Sequence, residues 1–562
     1  MSQHNSGSSR PVHDTAMESV IYHDPMMTPI DMKQLLFDTI IRNGRIVNGM
    51  GNPWSRLDIG IANGRISKIG YLCSSAAKAE MDAEGLVVSP GFIDMHSHGD
   101  LSLLTDPTSK PKVMQGVTTE VIGNCGFSAA PIEEKNFKLV KDLVMSIFPV
   151  DLEVPFDWSK MHEYFERLEK NKTAVNVAPL VGHGTLRVNV MGLERGPPTT
   201  SELEEMKSLL EEALIDGALG MSSGLIYTPG SYAETDELVE LCKVVKRFGR
   251  IYASHIRGED RPTLIEAVKE AVEIGFKSGV SVEISHHKAA GRDNWGSVGR
   301  TLVMIEQARR EGLDVTCDVY PYTAGSTVLR TFLPVWVLEG GQEKMVERLK
   351  NQQSREKIKD ELETSSELKT NGPENIMISL HEKDHTLEGK NLAEIANKRS
   401  KSPYDVFLDL LIADPNTQMV SFEMDENDVR TVIKHHASMI GSDGLGIPGK
   451  GRPHPRLYGT FPRVLSRYAR EERLFTVEEA IRKMTSFPAQ KLGLTDRGLI
   501  AEGMAADMVI FDQENILDMA TYEDPHKFSQ GIQYVLVNGE LTVREGELTG
   551  VRAGKVLKDA WS

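Results

Sequence analysis

The sequence predicts an α/β protein: a TIM-like (β/α)8 barrel with insertions, plus a small β domain built from both chain ends. Three observations lead there. From about residue 91 to 493, β-type runs alternate with amphipathic helical stretches. At both ends of the chain, short β-type runs flank Asn-Gly turns. Histidines, a cysteine and an aspartate stand at the ends of successive β-type runs in the middle of the chain.

Residues 1–34 are rich in Ser, His, Pro, Met and Asp and have no apolar core, so they read as a loosely attached arm and not as a signal peptide. The first part of the β domain is expected over 35–90. There Asn43-Gly44 separates Thr39-Ile40-Ile41-Arg42 from Arg45-Ile46-Val47, and Asn63-Gly64 separates two further runs. The second part is expected over 494–555, where Asn538-Gly539 lies between Tyr534-Val535-Leu536-Val537 and Glu540-Leu541-Thr542-Val543. The simplest arrangement pairs the two parts beside a central domain.

That domain is expected over 91–493. Its strands include Val175 to Val181 and the runs ending at His255, His286 and Tyr320. Helices are expected over 201–217, with Ser201 and Glu204 as a capping box, over 263–275, with Thr263 and Glu266, and over 301–312. A doubly wound sheet is the alternative, but no Gly-x-Gly-x-x-Gly follows a strand. Residues 333–402 break the rhythm and read as an insertion or lid over the barrel mouth.

Composition narrows the function. The net charge of -17 argues against nucleic acid as a partner, because phosphate binding needs a surplus of Lys and Arg. No apolar window approaches the ~20 residues of a membrane span, so no membrane association is expected. The four cysteines, Cys73, Cys125, Cys242 and Cys317, form no Cys-x-x-Cys pair. Such sparse cysteine suits a reducing cytoplasm.

The chemistry centres on Pro90-Gly-Phe-Ile-Asp-Met-His96-Ser-His98. Side chains two apart on a strand share a face, so two imidazoles at its end are able to hold one metal ion. Cys125, His255, His286 and Asp443 follow further β-type runs. In a barrel such positions converge on one rim, where catalysis takes place.

These residues resemble the amidohydrolase superfamily, and more narrowly its N-acyl-D-amino-acid deacylases (D-aminoacylases). The resemblance spans about 37–550. It includes Gly-Asn-Cys125-Gly, Ser285-His-His-Lys288, Asp318-Val-Tyr-Pro-Tyr322, Gly441-Ser-Asp-Gly444 and Arg452-Pro-His-Pro-Arg456. It implies hydrolysis of an N-acyl-D-amino acid to a carboxylate and a free D-amino acid, with a small-molecule substrate. One tightly bound Zn2+ would be held by Cys125, His255 and His286. A second, weaker site would use His96, His98, Cys125 and Asp443. Asp443 would be the general base and acid, and Lys288, Tyr320 and Arg456 would bind the substrate carboxylate. Tyr322 is close enough in sequence to compete with Tyr320 for that role. His183 is another histidine expected near the rim. Arg330 is a candidate partner for an acidic substrate side chain, while Leu329, Phe332, Leu333 and Trp336 would suit an apolar one. The alternatives are a cyclic-amide hydrolase of dihydroorotase or hydantoinase type and a non-catalytic amidohydrolase-like binding protein.

Overall fold

The computed structural model describes residues 37–148, 154–260, 262–365 and 367–558. The arm expected over 1–34 lies outside the described residues.

The barrel strands are β1 (Phe92–Asp94), β2 (Val117–Ile122), β3 (Asn176–Pro179, resuming at Val181–Gly182), β4 (Gly220–Gly224), β5 (Ile251–His255), β6 (Ser281–Ile284), β7 (Val315–Val319) and β8 (Ser438–Ile440). Each pairs in parallel with the next. The ring closes where Met95 N donates to Ile440 O at 3.3 Å and Ser97 bridges Gly444 in parallel. A side-chain clasp ties the same seam. Asp94 accepts from Ser442 N at 2.7 Å, Ser442 Oγ at 2.6 Å and Lys112 Nζ at 2.6 Å, all buried. The clasp fixes the chain on both sides of the closing point, immediately before His96 and Asp443.

The outer helices follow the expected apolar spacing, but two of the expected caps are wrong. Helix Thr200–Ile215 is capped two residues earlier, by Thr199 and Glu202, whose carboxylate accepts from Thr199 N at 2.7 Å. Ser201 lies inside this helix. Helix Thr263–Ser278 has no side-chain cap, because Pro262 holds the N-cap position and Thr263, already the first helical residue, turns its hydroxyl back to Asp260. Among the described residues, no helix is long and apolar enough to cross a membrane.

Between β7 and β8 the chain builds a unit with its own apolar core. Strands Gly325–Val328 and Ile376–Leu380 flank Gln418–Ser421 antiparallel, and helices pack Ile358, Leu362, Phe407 and Leu411 beneath them. The unit thus begins and ends outside the 333–402 stretch. Its bracketing strands are β-type runs that sequence alone does not distinguish from barrel strands.

The remaining strands form two stacked sheets. In one, Phe37–Arg42 lies between Asp58–Ala62 and Ala77–Asp82. The other joins the chain ends through Val87–Pro90, which pairs antiparallel with Met508–Phe511. Ile41, Ile59, Ile61, Val88, Met508 and Ile510 fill the space between them. Asn63-Gly64 and Asn538-Gly539 are hairpin turns as expected. Asn43-Gly44 is not: the runs on either side of it belong to different sheets, so the turn is a corner between them.

Candidate metal centre and substrate cleft

His96 and His98 leave β1 toward the rim, and Cys125 follows β2. Gly123 and Gly126 on either side of the Asn124-Cys125 pair have φ of +76° and +80°. A Cβ at Gly123 would lie 2.1 Å from Leu180 O, and one at Gly126 would lie 2.6 Å from Gly224 N. The loop therefore packs backbone to backbone against neighbouring strand ends. Cys125, His286 and Asp443 themselves hold φ of 55°, 37° and 49°. Strained backbone at three candidate ligands marks positions that the surrounding fold over-determines.

The side chains converge. Cys125 Sγ lies 3.2 Å from His96 Nε2, 3.5 Å from His286 Nε2 and 3.4 Å from His255 Nδ1. His255 Nδ1 is 2.8 Å from His286 Nε2. Ligand bonds of about 2.0–2.3 Å set ligand–ligand separations of roughly 3.3–3.8 Å around a tetrahedral zinc ion. The sulfur–nitrogen distances match that geometry, and a thiolate with imidazoles is a donor set that zinc accepts. Burial pushes the Cys125 thiol up, but His96, His255 and His286 outweigh it and hold the group well below the usual thiol range.

Asp443 faces the same space. Its Oδ1 lies 3.0 Å from His98 Nε2 and 3.6 Å from His96 Nε2, and its Oδ2 lies 2.9 Å from Arg456 Nη1. Burial raises this carboxyl, yet Arg456 and the imidazoles keep it well below the ordinary carboxylate range. His96, His98 and Asp443 form a second group with metal-binding spacing next to the Cys125 group. All six residues expected as metal ligands thus lie together.

The three residues expected to bind a carboxylate also meet at this cleft. Arg456 lies over the Tyr320 ring at 4.5 Å, and Lys288 Nζ is 5.7 Å from the same ring centroid. Tyr322 is directed elsewhere: its ring faces His454 and Arg463. Arg330 does not reach the cleft. It donates to Pro415 O, Asn416 Oδ1 and Ser146 Oγ, tying the inserted unit to helix Phe137–Ile147. Of the apolar candidates nearby, Phe332 borders the cleft, whereas Leu329 and Leu333 are buried in the inserted unit's core with Trp336 packed against it. His183 is buried on Glu237, 2.7 Å away, which also pairs with Arg187.

Sequence reasoning missed two carboxylates. Glu259 Oε1 lies 3.0 Å from His286 Nδ1 and 2.6 Å from Lys288 Nζ. Asp318 accepts from His286 N at 2.9 Å and lies 3.5 Å from His96 Nδ1. Asp318 belongs to a motif quoted above; Glu259, four residues past His255, carried no signal beyond that proximity.

A barrel whose rim gathers imidazoles, a thiol and a carboxylate defines a metal-dependent hydrolase. The amidohydrolase family pattern matches residues 79–543. D-aminoacylase from Alcaligenes xylosoxydans xylosoxydans is 39% identical over 93% of this chain and 97% of its own length. N-acyl-D-glutamate deacylase from the same organism is 38% identical over 89% and 93%. The crystal structure of N-acyl-D-glutamate deacylase from Bordetella bronchiseptica, complexed with zinc and a phosphonate mimic of the tetrahedral intermediate, superposes with a TM-score of 0.79 at 35% identity, covering 93% of this chain and all of that one. The chain belongs to the N-acyl-D-amino-acid deacylase (D-aminoacylase) family of the amidohydrolases.

Proposed function

We propose that this enzyme hydrolyses N-acyl-D-amino acids to a carboxylate and a free D-amino acid, using one tightly held zinc ion. The observation that carries the reading is the meeting of Cys125, His255 and His286 within 2.8–3.5 Å of one another beside Asp443. Those three residues would hold the ion, and His96, His98, Cys125 and Asp443 would offer a weaker second position. Zinc, when bound, acts as a Lewis acid toward the amide carbonyl and lowers the pKa of water. Asp443 takes the proton of the attacking water and returns it to the amide nitrogen, which leaves only once protonated. Arg456 and His98 keep Asp443 ionised and aimed for that task. Lys288 and Arg456, both near the Tyr320 ring, receive the substrate carboxylate.

The lining of the cleft favours apolar side chains. Phe127, Ile147, Val328, Phe332, Met419 and Leu445 border it. Among the described residues, its only Lys and Arg are Lys288 and Arg456, both assigned above to the substrate's α-carboxylate. An acidic side chain would find no free cation there. The preference for the D configuration rests on the relatives.

A turnover screen tests the reading. N-acetyl-D-methionine and N-acetyl-D-leucine should be hydrolysed faster than the D-glutamate and D-aspartate derivatives, and the L enantiomers and hydantoins should not react. Chelation should abolish turnover and zinc should restore it. Preferred turnover of hydantoins, or full activity of the metal-stripped enzyme, would overturn the proposal.

A further inference from the structure

The hydrogen bonding around His286 contains a conflict that a single carboxylate resolves. His286 Nδ1 lies 3.0 Å from Glu259 Oε1 and 2.9 Å from Lys288 Nζ. A neutral imidazole carries one proton, on one nitrogen or the other. If Nδ1 accepts from the Lys288 ammonium, the proton stands on Nε2, the atom that faces Cys125 Sγ and His255 Nδ1. That nitrogen then has no lone pair for a metal. If Nδ1 instead donates to Glu259, Nε2 is free to ligate. The Lys288 ammonium, which only donates, is satisfied by Glu259 Oε1 at 2.6 Å.

Glu259 is well placed to decide between these states. Its own backbone carbonyl accepts from Ala290 N and Asn294 Nδ2, both at 2.8 Å. The loop after β5 is thereby pinned to the loop after β6, which carries both His286 and Lys288. We infer that Glu259 is a positioning residue that sets the tautomer of His286 against the competing donor Lys288, keeping Nε2 available to metal while holding the Lys288 ammonium at the cleft. The inference rests on the proposed metal site, with His286 as a ligand through Nε2. Neighbouring groups that fix the free nitrogen of a metal-binding histidine typically govern affinity by 10–100-fold.

The experiment measures zinc affinity by competition with a chromophoric chelator, without reference to turnover. The proteins are the parent, Glu259→Ala, Lys288→Met and the Glu259→Ala/Lys288→Met double variant. Glu259→Ala should bind zinc roughly 10–100-fold more weakly. The double variant should recover most of that loss, because no donor is left to claim Nδ1, and Lys288→Met alone should stay close to the parent. Should the alanine variant not fold, Glu259→Met, which is close in volume and carries no oxygen acceptor, takes its place in the same comparison. Parental affinity in the Glu259 variants, or a double variant no tighter than the single, would overturn this assignment alone. A parent enzyme that binds no zinc would overturn the metal site and this inference with it.

Discussion

Asp443 divides its two oxygens between unlike partners, imidazoles on Oδ1 and a guanidinium on Oδ2. Asp443→Asn keeps the shape and removes the base. Since positioned proton transfer contributes typically 10²–10⁴-fold, kcat should fall by roughly that factor, while one zinc per chain remains, because Cys125, His255 and His286 are untouched. Steady-state kinetics with metal analysis checks both; retained activity would remove Asp443 from the mechanism. Gly126→Ala tests the backbone beneath the thiol. Its Cβ would meet Gly224 N at 2.6 Å in a left-handed conformation. Strain of about 1–3 kcal/mol is expected at such a position, with weaker zinc binding, read by denaturant melts and chelator competition. The candidate ligands could be singled out in the sequence because His and Cys after β-type runs are uncommon and their chemistry is specific, and the fold brings them together. Glu259 and Asp318 were not, because a carboxylate that only orients a neighbour looks like any of the 81 acidic residues in the chain.

At the scale of elements, the seam between β1 and β8 depends on the Lys112 ammonium, buried between Asp94 and Ser442. Removing one partner of a buried ion pair strands the other charge at a cost of about 3–5 kcal/mol. Lys112→Met should lose that much stability in urea melts, and Lys112→Met/Asp94→Asn less than the sum of its parts. Helix Met161–Asn171 offers a pH-dependent case. Glu163 accepts from Lys160 N, Ser159 N and Ser159 Oγ at 2.7–2.9 Å, and these bonds lower its pKa from 4.5 to about 2. A carboxyl whose folded pKa is depressed stabilises the fold above its unfolded pKa and ceases to as pH falls through the folded value. The loss caused by Glu163→Gln, about 1 kcal/mol at most for a solvent-screened capping contact, should therefore be present at pH 7 and vanish between about pH 4.5 and 2. An undiminished difference at pH 2 would refute it. Helix periodicity was readable from apolar spacing; the caps were not, because Thr199, Thr200 and Ser201 are equally competent and packing alone decides which one starts the helix.

At the scale of the molecule, the two stacked sheets are fastened to the barrel by polar side chains. Asn176, on β3, donates to Asp507 Oδ2 at 3.0 Å and accepts from Asn538 Nδ2 at 2.7 Å. The C-terminal tail continues the attachment: Val177 N donates to Lys555 O at 2.9 Å and Leu557 N to Val177 O at 2.8 Å. Ending the chain at residue 552 should leave both backbone groups of Val177 short of a partner, at about 1–3 kcal/mol each. The melting temperature should drop while the zinc affinity stays at the parental value; an unchanged melting temperature would show that the tail is not needed. Paired chain ends were foreseeable from matching Asn-Gly turns. The corner at Asn43-Gly44 was not, since in sequence it is the same Asn-Gly pair as a hairpin, and only the structure shows that Asn43 alone takes positive φ there while both residues of Asn63-Gly64 and Asn538-Gly539 do.

Part of the cleft wall comes from the inserted unit, whose Val328, Phe332 and Met419 border the cleft while its interior packs as a separate cluster. The candidate ligand residues all lie at the ends of barrel strands or on the loops that follow them. Part of the cleft wall and the candidate ligand set therefore stand on separate units. Transplanting 325–421 from an acidic-substrate relative should redirect which side chains are accepted and leave the grip on the ion as it was, so new appetites can evolve here without disturbing the machinery that breaks the bond.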